Sequence, residues 1–252
     1  MRTAGARAAG LLDRSWPVLV LLAAWEVWIV AAHVPPIVAP APALVVIEVA
    51  TNPGLYAAAA CATIGVALAG LLIGMTLGIA LAIAIWATPF AAGALTFPAL
   101  LAQSTPLVAL LPVIARLLGY GEQTVIAAAT AITFLPTFVL VGSGLRALPA
   151  NAADVFDVLG SSRLARLVRL ALPSAVPSML IALRLSAANS ILAALTAEYL
   201  IGTFGLGRLF ADAQTQSLTP RAWAAALVAT VLSVAAYAAA RRLAVIGERF
   251  SL

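Results

Sequence analysis

Charged residues are scarce in this sequence and collect in one segment. Only 9% of the 252 residues are charged, yet the stretch NAADVFDVLGSSRLARLVRLALPSAVP, residues 151–177, contains two aspartates followed by three arginines. Arg163, Arg166 and Arg169 recur every three residues, while leucines and a valine fall on a separate arc of the same helix. Such an amphipathic surface binds through charge and supplies no nucleophile or general base. By itself it predicts a loop whose arginines contact anionic lipid.

The other reactive residue types are too few for a catalytic or metal centre. The single cysteine, Cys61, cannot form an intrachain disulfide, and histidine, cysteine and acidic residues are not clustered at metal-ligand spacing. The phosphate-binding pattern Gly-x-x-x-x-Gly-Lys-Ser/Thr is missing, so the chain cannot hydrolyse ATP by that route. Glu26 and Glu198 are too far apart in sequence to suggest an acid–base pair. We therefore expect neither an enzyme nor a directly bound cofactor.

The composition identifies the solvent in which the chain folds. Hydrophobic residues make up 64% of it, and the mean hydropathy is +1.11. The apolar runs are continuous rather than alternating, which predicts membrane-spanning helices. The fold class is accordingly all-α, a polytopic membrane protein with one domain over residues 1–252. Six spans are predicted, at about 16–34, 57–86, 94–118, 124–141, 177–201 and 222–240.

Two segments near the start of the chain need separate assignments. Span 16–34 follows three arginines and precedes the proline-rich segment PPIVAPAP, which cannot continue a helix. The same pattern suits a secretory signal peptide cleaved near Ala41, although the apolar run is long and contains three tryptophans. Residues 43–52 are too short to span a bilayer and carry Glu48, which favours an external or interfacial helix. The core of the domain is then 57–242, with 16–34 as an additional N-terminal helix.

The arginines also predict how the chain is oriented. All 14 basic residues are arginines, and they lie almost entirely between apolar runs or near the two ends. With six spans both ends lie on one side of the membrane, and only Arg116, Arg208 and Arg221 fall on the other side. Basic residues collect on the cytoplasmic side of membrane proteins. Both termini, and with them loop 145–175, are therefore predicted to be cytoplasmic.

This loop is expected to form two short helices joined at a glycine. Asn151 is a candidate N-cap for the first helix, and Gly160 is the residue type that commonly ends one. Ser161 or Ser162 can cap the second helix. Pro173 is predicted to stop it, because proline lacks the backbone N–H that a helix interior needs. An element of this kind between two spanning helices can transmit a push from a partner to both of them.

The spacing within the loop resembles the EAA loop of permease subunits of binding-protein-dependent ABC importers. That family has an acidic residue, two small residues, a glycine and an I-x-L-P ending at the distances that separate Asp154, Gly160 and Pro173. Here aspartate replaces glutamate, and Val155 and Phe156 replace the two small residues. The resemblance implies a coupling helix that docks in a groove of a cytoplasmic ATPase. Its residues would be Asp154, Val155, Phe156, Asp157, Gly160, Ser161, Arg163, Leu172 and Pro173.

The resemblance covers most of the chain. APAPALVV after the first span, STPLVALLPVIARLLGYGE in the third, and LPSAVPSMLIALRLS with AEYLIGTFGLG around the fifth are similar to segments of the nitrate, sulfonate and taurine group of these permeases. This similarity implies the type I, MetI-like importer permease fold. It also implies that the protein is one subunit of a larger assembly.

The resemblance further implies ATP-driven import of a small solute across the bacterial inner membrane by alternating access. ATP and magnesium would bind to separate ATPase subunits, and a periplasmic or lipid-anchored solute-binding protein would deliver the solute. A second permease copy, in a homodimer, would complete the path. The solute would be a sulfonate, taurine, nitrate or a vitamin precursor. An ion-coupled secondary transporter is the alternative, but it leaves the spacing from Asp154 to Pro173 unexplained.

Polar residues inside the predicted spans are candidates for lining the solute path, because uncompensated polarity is costly in a bilayer. The same residues suit hydrogen bonds between helices, and for each one singly that role is the simpler explanation. Gly70, Gly74 and Gly78 let helices pack closely, either within the chain or between two copies. The path candidates are Gln103, Ser104, Thr133, Asn189 and Glu198.

Overall fold

A computed structural model describes residues 16–17, 20–88, 106–148 and 151–248. Within these ranges every regular element is helical, as the all-α prediction requires. A π-helical turn, Leu167–Ala171, joins helix Arg163–Arg166 to helix Leu172–Ile201. The helices in chain order are α1 Val20–Ala31, α2 Pro42–Thr51, α3 Pro53–Ala87, α4 Leu107–Leu118, α5 Glu122–Arg146, α6 Ala152–Val158, α7 Arg163–Arg166, α8 Leu172–Ile201, α9 Leu206–Thr215 and α10 Thr219–Glu248.

Four helices are long and apolar enough to cross a membrane: α3, α5, the continuous helix Arg163–Ile201, and Thr219–Ala244 of α10. They coincide with the second, fourth, fifth and sixth predicted spans. The first and third predicted spans are represented by α1 and α4, which are apolar but shorter over the residues that the structure describes. Residues 89–105, which hold about half of the third span, lie outside the described residues. The count of six spans therefore stays a prediction.

Helix α5 packs between α3 and α8 in the centre of the bundle. On the α3 side, Gly70, Gly74 and Gly78 form a buried strip of small residues. A side chain at Gly78 would lie 2.8 Å from the Phe134 carbonyl oxygen and 2.9 Å from Thr137 Cβ. Two helix backbones can approach this closely only where no side chain separates them. The glycine strip therefore packs two helices of one chain, the first of the two alternatives that the sequence left open.

Close packing also joins the end of α5 to the start of α8. A Cβ atom at Gly144 would lie 2.7 Å from both Cβ and Oγ of Ser178 and 3.0 Å from Ala175 Cα. Leu145 and Ala171 are fully buried at the same place. The charged loop thus leaves and re-enters the bundle at two helices that are in direct contact, so a displacement of the loop acts on both.

The prediction that Pro173 stops the second loop helix is wrong. The helix continues through the π-helical turn, and the Leu172 N–H donates to the Leu167 carbonyl, five residues back. Pro173 lies in the first turn of α8. A π-helical turn inserts one residue and shifts the hydrogen-bond pairing, and this shift lets the helix pass a proline that would otherwise break it. The second short helix of the loop is therefore continuous with the fifth span.

The first two helices pack at the end of the bundle remote from the charged loop. Trp25 of α1 contacts Trp223 of α10, with ring centroids 4.9 Å apart. The Arg221 Nε atom of α10 donates to Glu48 Oε1 of α2 at 2.8 Å. The short helix predicted around Glu48 is confirmed as α2, and its placement outside the membrane stays a prediction.

Candidate coupling loop and transmembrane path

The first half of the charged loop is helix α6, which begins directly after Asn151. The Asn151 carbonyl accepts the Val155 N–H at 3.2 Å. Asp154 lies in the first turn, where the exposed backbone N–H groups favour a carboxylate. Asp157 also falls within α6. The predicted start of the first loop helix is confirmed.

Gly160 forms the turn between the two short helices, as predicted. Its φ is +63°, a conformation that residues with a side chain rarely adopt. Across the turn the Ser161 N–H donates to the Phe156 carbonyl at 3.0 Å, which satisfies an acceptor at the end of α6. Of the two candidate caps, Ser162 is the one used, because its Oγ accepts the Ala165 N–H at 3.2 Å.

Apolar side chains on this loop are exposed rather than packed. Val158 is 87% exposed, Leu159 72% and Leu164 70%, and Val155 is also exposed. Single exposed apolar residues are common on protein surfaces, but four on so short a segment form a patch that the described part of the chain leaves uncovered. We call these four residues the loop patch.

An arginine fixes the loop to a third helix. Arg163 Nη1 donates to the carbonyl of Ala87, the last residue of α3, at 3.2 Å. A cation at this position also interacts favourably with the negative end of the helix. Leu172 and Pro173 lie further along, in the first turn of α8. The coupling residues predicted from the sequence thus fall on the two short helices, on the turn between them and on the start of the span that continues from the second helix.

The predicted path residues of the central spans lie in different environments. Gln103 and Ser104 lie outside the described residues. Thr133 is fully buried, and its hydroxyl donates to the Ala129 carbonyl of its own helix at 2.9 Å. Asn189 lies within α8 on a side that its own chain leaves exposed. The structure therefore does not bring Thr133 and Asn189 together on one surface.

The exposed side of α8 around Asn189 has a mixed character. Leu185 and Leu192 lie about one turn to either side of it and are also exposed. An amide surrounded by leucines is costly to leave in lipid, because hydrocarbon offers it no hydrogen-bond partner. This face is therefore expected to meet water or another protein chain.

Glu198 is almost fully buried, with 1% of the residue exposed. Its Oε2 atom accepts the Thr63 hydroxyl and the Gly207 N–H, each at 2.9 Å. The Thr63 hydroxyl oxygen in turn accepts the Leu206 N–H at 2.9 Å. The carboxylate thus lies at the N-terminal end of α9, where backbone N–H groups favour negative charge. We call Thr63, Glu198, Leu206 and Gly207 the Glu198 cluster.

The Glu198 cluster ties α3, α8 and α9 together, and sequence reasoning missed part of it. At Gly205 and Gly207 a Cβ atom would overlap the Glu198 side chain, which explains the two glycines of the Gly-Leu-Gly turn. The glutamate and the turn were both recognisable in the sequence. Nothing in the sequence pointed to Thr63, which is separated from Glu198 by 135 positions. The contact fits the helix-to-helix hydrogen-bonding alternative, and a role in the path stays a prediction.

Comparison with known families resolves the class of protein. The family described as "Binding-protein-dependent transport system inner membrane component" matches residues 70–245, a range that includes the charged loop and its two flanking spans. This chain belongs to that family. The ABC importer permease predicted from the loop spacing is therefore confirmed, and of the two transporter classes left open, the family membership favours the importer over the ion-coupled carrier.

Individual permeases are similar over most of the chain. The formylaminopyrimidine transport permease protein ThiX of Halalkalibacterium halodurans is 26% identical over 231 residues, 90% of this chain and 92% of its own. The riboflavin transport system permease protein RibX of Chloroflexus aurantiacus is 28% identical over 92% of this chain and 90% of its own. The putative aliphatic sulfonates transport permease protein SsuC of Bacillus subtilis is 25% identical over 52% of this chain and 47% of its own. A permease of the sulfonate group is thus among the relatives, as predicted.

Solved structures share the fold. A chain of the MetNI methionine ABC transporter in inward-facing conformations superposes with a TM-score of 0.68 at 15% identity, covering 80% of this chain and 99% of that chain. An amino acid ABC transporter crystallised with histidines gives a TM-score of 0.64 at 15% identity, covering 81% and 97%. The predicted type I, MetI-like permease fold is confirmed.

Proposed function

We propose that this chain is the membrane subunit of an ATP-driven importer that moves a small solute across the bacterial inner membrane by alternating access. ATP and magnesium bind to separate cytoplasmic ATPase subunits, and the charged loop docks on them. The loop patch carries this proposal: Val155, Val158, Leu159 and Leu164 expose apolar side chains on a loop whose second helix is continuous with α8.

In this proposal, docking of the ATPase drives transport because the loop is attached to three helices of the bundle. The loop begins at the end of α5, is continuous with α8, and contacts the end of α3 through Arg163. When ATP closes two ATPase subunits, the two coupling loops of the assembly move together and turn these helices, so that the path opens outward. ATP hydrolysis reverses the movement.

A second copy of the chain completes the path in this proposal. The exposed face of α8 around Asn189 then borders a water-filled path between the copies, which satisfies the amide. Gln103 and Ser104 of the third predicted span join this lining. Thr133 and Glu198, which bond within their own chain, hold the lining helices in place.

The proposed orientation follows from the arginines. The loop and both termini lie in the cytoplasm, and α2 and α9 lie at the external end. A periplasmic or lipid-anchored solute-binding protein docks at that end and delivers the solute. The permease then needs only a path that tolerates it.

The proposed solute is a small organic molecule. Two relatives that match nine-tenths of this chain are named for formylaminopyrimidine and riboflavin transport, whereas the relative named for aliphatic sulfonates matches about half. We therefore rank a vitamin precursor before a sulfonate, taurine or nitrate. Competition of each compound for uptake of the others by the reconstituted complex tests this ranking.

The coupling role is tested by co-expression with the candidate ATPase, comparing Leu159→Glu with Leu117→Glu. Both leucines are largely exposed, 72% and 79%, but Leu117 lies at the end of the bundle remote from the loop. We expect Leu159→Glu to weaken ATPase co-purification about tenfold or more, because a charge in an apolar contact loses its hydration. The Leu117→Glu variant should retain the ATPase.

A second variant tests the turn itself. Proline fixes φ near −65° and cannot adopt the +63° of Gly160, so Gly160→Pro should disrupt the loop and uncouple ATP hydrolysis from uptake. Normal ATPase association and normal uptake in both Leu159→Glu and Gly160→Pro would contradict the proposal.

A further inference from the structure

A cavity lies between the end of α3 and the charged loop. It has a volume of about 260 Å³, and its wall is formed by Trp86, Ala87, Leu148, Arg163 and Arg166. The Arg163 guanidinium itself lies at this wall, because its Nη1 atom donates to the Ala87 carbonyl at 3.2 Å. The cavity therefore combines positive charge with an indole ring.

The charges in this wall favour an anion. Arg163 and Arg166 carry two positive charges, and the other described residues of the wall are uncharged. A guanidinium has five N–H donors, so each arginine can bind an anion in addition to the contacts that it already makes. Guanidinium groups bind phosphate oxygens through two parallel hydrogen bonds. A phosphate group fits this chemistry.

The position of the cavity indicates a lipid as the source of the phosphate. Helix α3 has 35 residues and is about 52 Å long, whereas the hydrocarbon core of a bilayer is about 30 Å thick. The last turn of α3, which contains Trp86, therefore reaches the level of the lipid headgroups, where tryptophan is enriched. Basic pockets between spanning helices on the cytoplasmic side are a recognised arrangement for anionic headgroups.

The cavity and the loop patch lie on different sides of α7. At 3.6 residues per turn, Leu164 of the loop patch points about 130° away from the mean direction of Arg163 and Arg166. The wall opposite these arginines belongs to the end of α3 and to Leu148, which follows α5. An ATPase that docks on the loop patch therefore leaves the two arginines facing the bundle.

We propose that this cavity binds the phosphate group of an anionic phospholipid, with Arg163 and Arg166 holding its oxygens beside Trp86. Such a lipid would connect the end of α3 to α7, which continues into α8. The lipid composition of the membrane would then influence how firmly the loop is held. The inference goes beyond the transport function, and its test needs neither the ATPase nor the solute.

The test uses the purified full-length chain in nanodiscs of phosphatidylcholine with phosphatidylglycerol, and native mass spectrometry counts the lipids retained. Wild-type protein should retain phosphatidylglycerol in preference to phosphatidylcholine. Arg166→Gln leaves the hydrogen bond from Arg163 to Ala87 in place and should lower this preference about fivefold. The double variant Arg163→Gln and Arg166→Gln should lower it about 25-fold. The matched control is Arg169→Gln, because Arg169 is an exposed arginine of the same segment that does not line the cavity.

A second pair of variants tests the cavity without changing its charge. Ala87→Phe should fill the cavity and lower the preference for phosphatidylglycerol about as much as Arg166→Gln does. Ala84→Phe lies about one turn earlier on α3, at an exposed position outside the cavity, and should leave the preference unchanged. Gel filtration checks that every variant is folded.

A separate arm distinguishes a lipid from free phosphate. Inorganic phosphate is titrated into the protein in nanodiscs of phosphatidylcholine alone, and tryptophan fluorescence, to which Trp86 contributes, follows binding. We expect no saturable change. Saturable binding of inorganic phosphate that is lost in Arg166→Gln would overturn the proposal, since the site would then take a soluble anion.

Three results of the lipid experiments would also overturn the proposal. One is equal retention of both lipids by the wild type. Another is a preference that the double arginine variant leaves unchanged, or that Arg169→Gln lowers as strongly. The third is a folded Ala87→Phe variant with the same lipid preference as the wild type.

Discussion

At the scale of single residues, the polar groups of the spans differ in what they contact. Thr63 and Glu198 bond to each other and to the first residues of α9, and the Thr133 hydroxyl lies within hydrogen-bond distance of a carbonyl of its own helix and of the Gly70 carbonyl on α3. Asn189 instead points away from the packed core. Residues of similar polarity therefore differ in their surroundings: the first three bond between helices, and Asn189 is exposed, where our proposal places it beside the path.

Thr63→Val tests the Glu198 cluster. Valine keeps the shape of threonine but removes the hydroxyl that donates to Glu198 and accepts from Leu206. We expect the free energy of unfolding to fall by about 1–3 kcal/mol, because two buried polar groups each lose a partner. Denaturant unfolding in detergent measures this change.

The control for this experiment is Thr76→Val on the same helix. Thr76 is exposed, and its hydroxyl donates to the Leu72 carbonyl one turn earlier, at 2.7 Å. Its loss should change the stability by less than about 0.5 kcal/mol. If both substitutions lowered the unfolding free energy equally, the Thr63 hydroxyl in the Glu198 cluster would contribute no more to stability than an exposed hydroxyl.

At the scale of elements, glycines allow particular pairs of helices to pack closely. The glycine strip of α3 lies against the backbone of α5, and Gly144 of α5 lies against the start of α8. These contacts connect the three helices that the charged loop also joins. The bundle next to the loop is therefore closely packed, as the coupling role proposed above requires.

Gly78→Ala measures how much the close approach of α3 and α5 contributes. The added Cβ would lie 2.8 Å from a backbone oxygen, which cannot move without shifting α5. We expect a loss of about 1–3 kcal/mol in unfolding free energy. Gly65→Ala on the same helix has nothing within 4 Å and should be neutral or stabilising, by up to about 1 kcal/mol. Thermal unfolding measures both variants. If Gly78→Ala and Gly65→Ala unfolded at the same midpoint temperature, close packing at Gly78 would not contribute to stability.

At the scale of the whole molecule, the two ends of the bundle carry different structures. One end has the loop patch and the arginine that anchors it to α3, and the other has α2 and α9 with the ion pair between Glu48 and Arg221. An importer needs this asymmetry, because an ATPase and a solute-binding protein must dock on opposite sides of the membrane.

Labelling of single cysteines tests the orientation. In a Cys61→Ser background, Asp212→Cys on α9 and Val158→Cys on α6 place one thiol at each end. Both positions are exposed. A membrane-impermeant maleimide should label Asp212→Cys on intact spheroplasts and Val158→Cys only after permeabilisation. The reverse pattern would mean that the loop faces outward and that the coupling proposal is wrong.

The sequence by itself determined the class of protein, because hydropathy, arginine distribution and loop spacing are local properties of the chain. Long apolar runs predicted α3, α5, α8 and α10, and the Asp154, Gly160 and Pro173 spacing indicated an importer permease. The turn at Gly160 was predictable for the same reason, since a glycine after a short helix ends it through its own backbone preference.

Only the tertiary structure decided how these pieces meet. The spans are rich in alanine and apolar on every side, so no amphipathic pattern indicates which face of each helix packs against which neighbour. The pairing of Thr63 with Glu198, the burial of Thr133 and the exposure of Asn189 all depend on that choice. The path of the helix past Pro173 depends on a shift of hydrogen bonds in the preceding turn, which residue types do not specify. Local composition fixed the helices, and contacts between residues far apart in the chain fixed their arrangement.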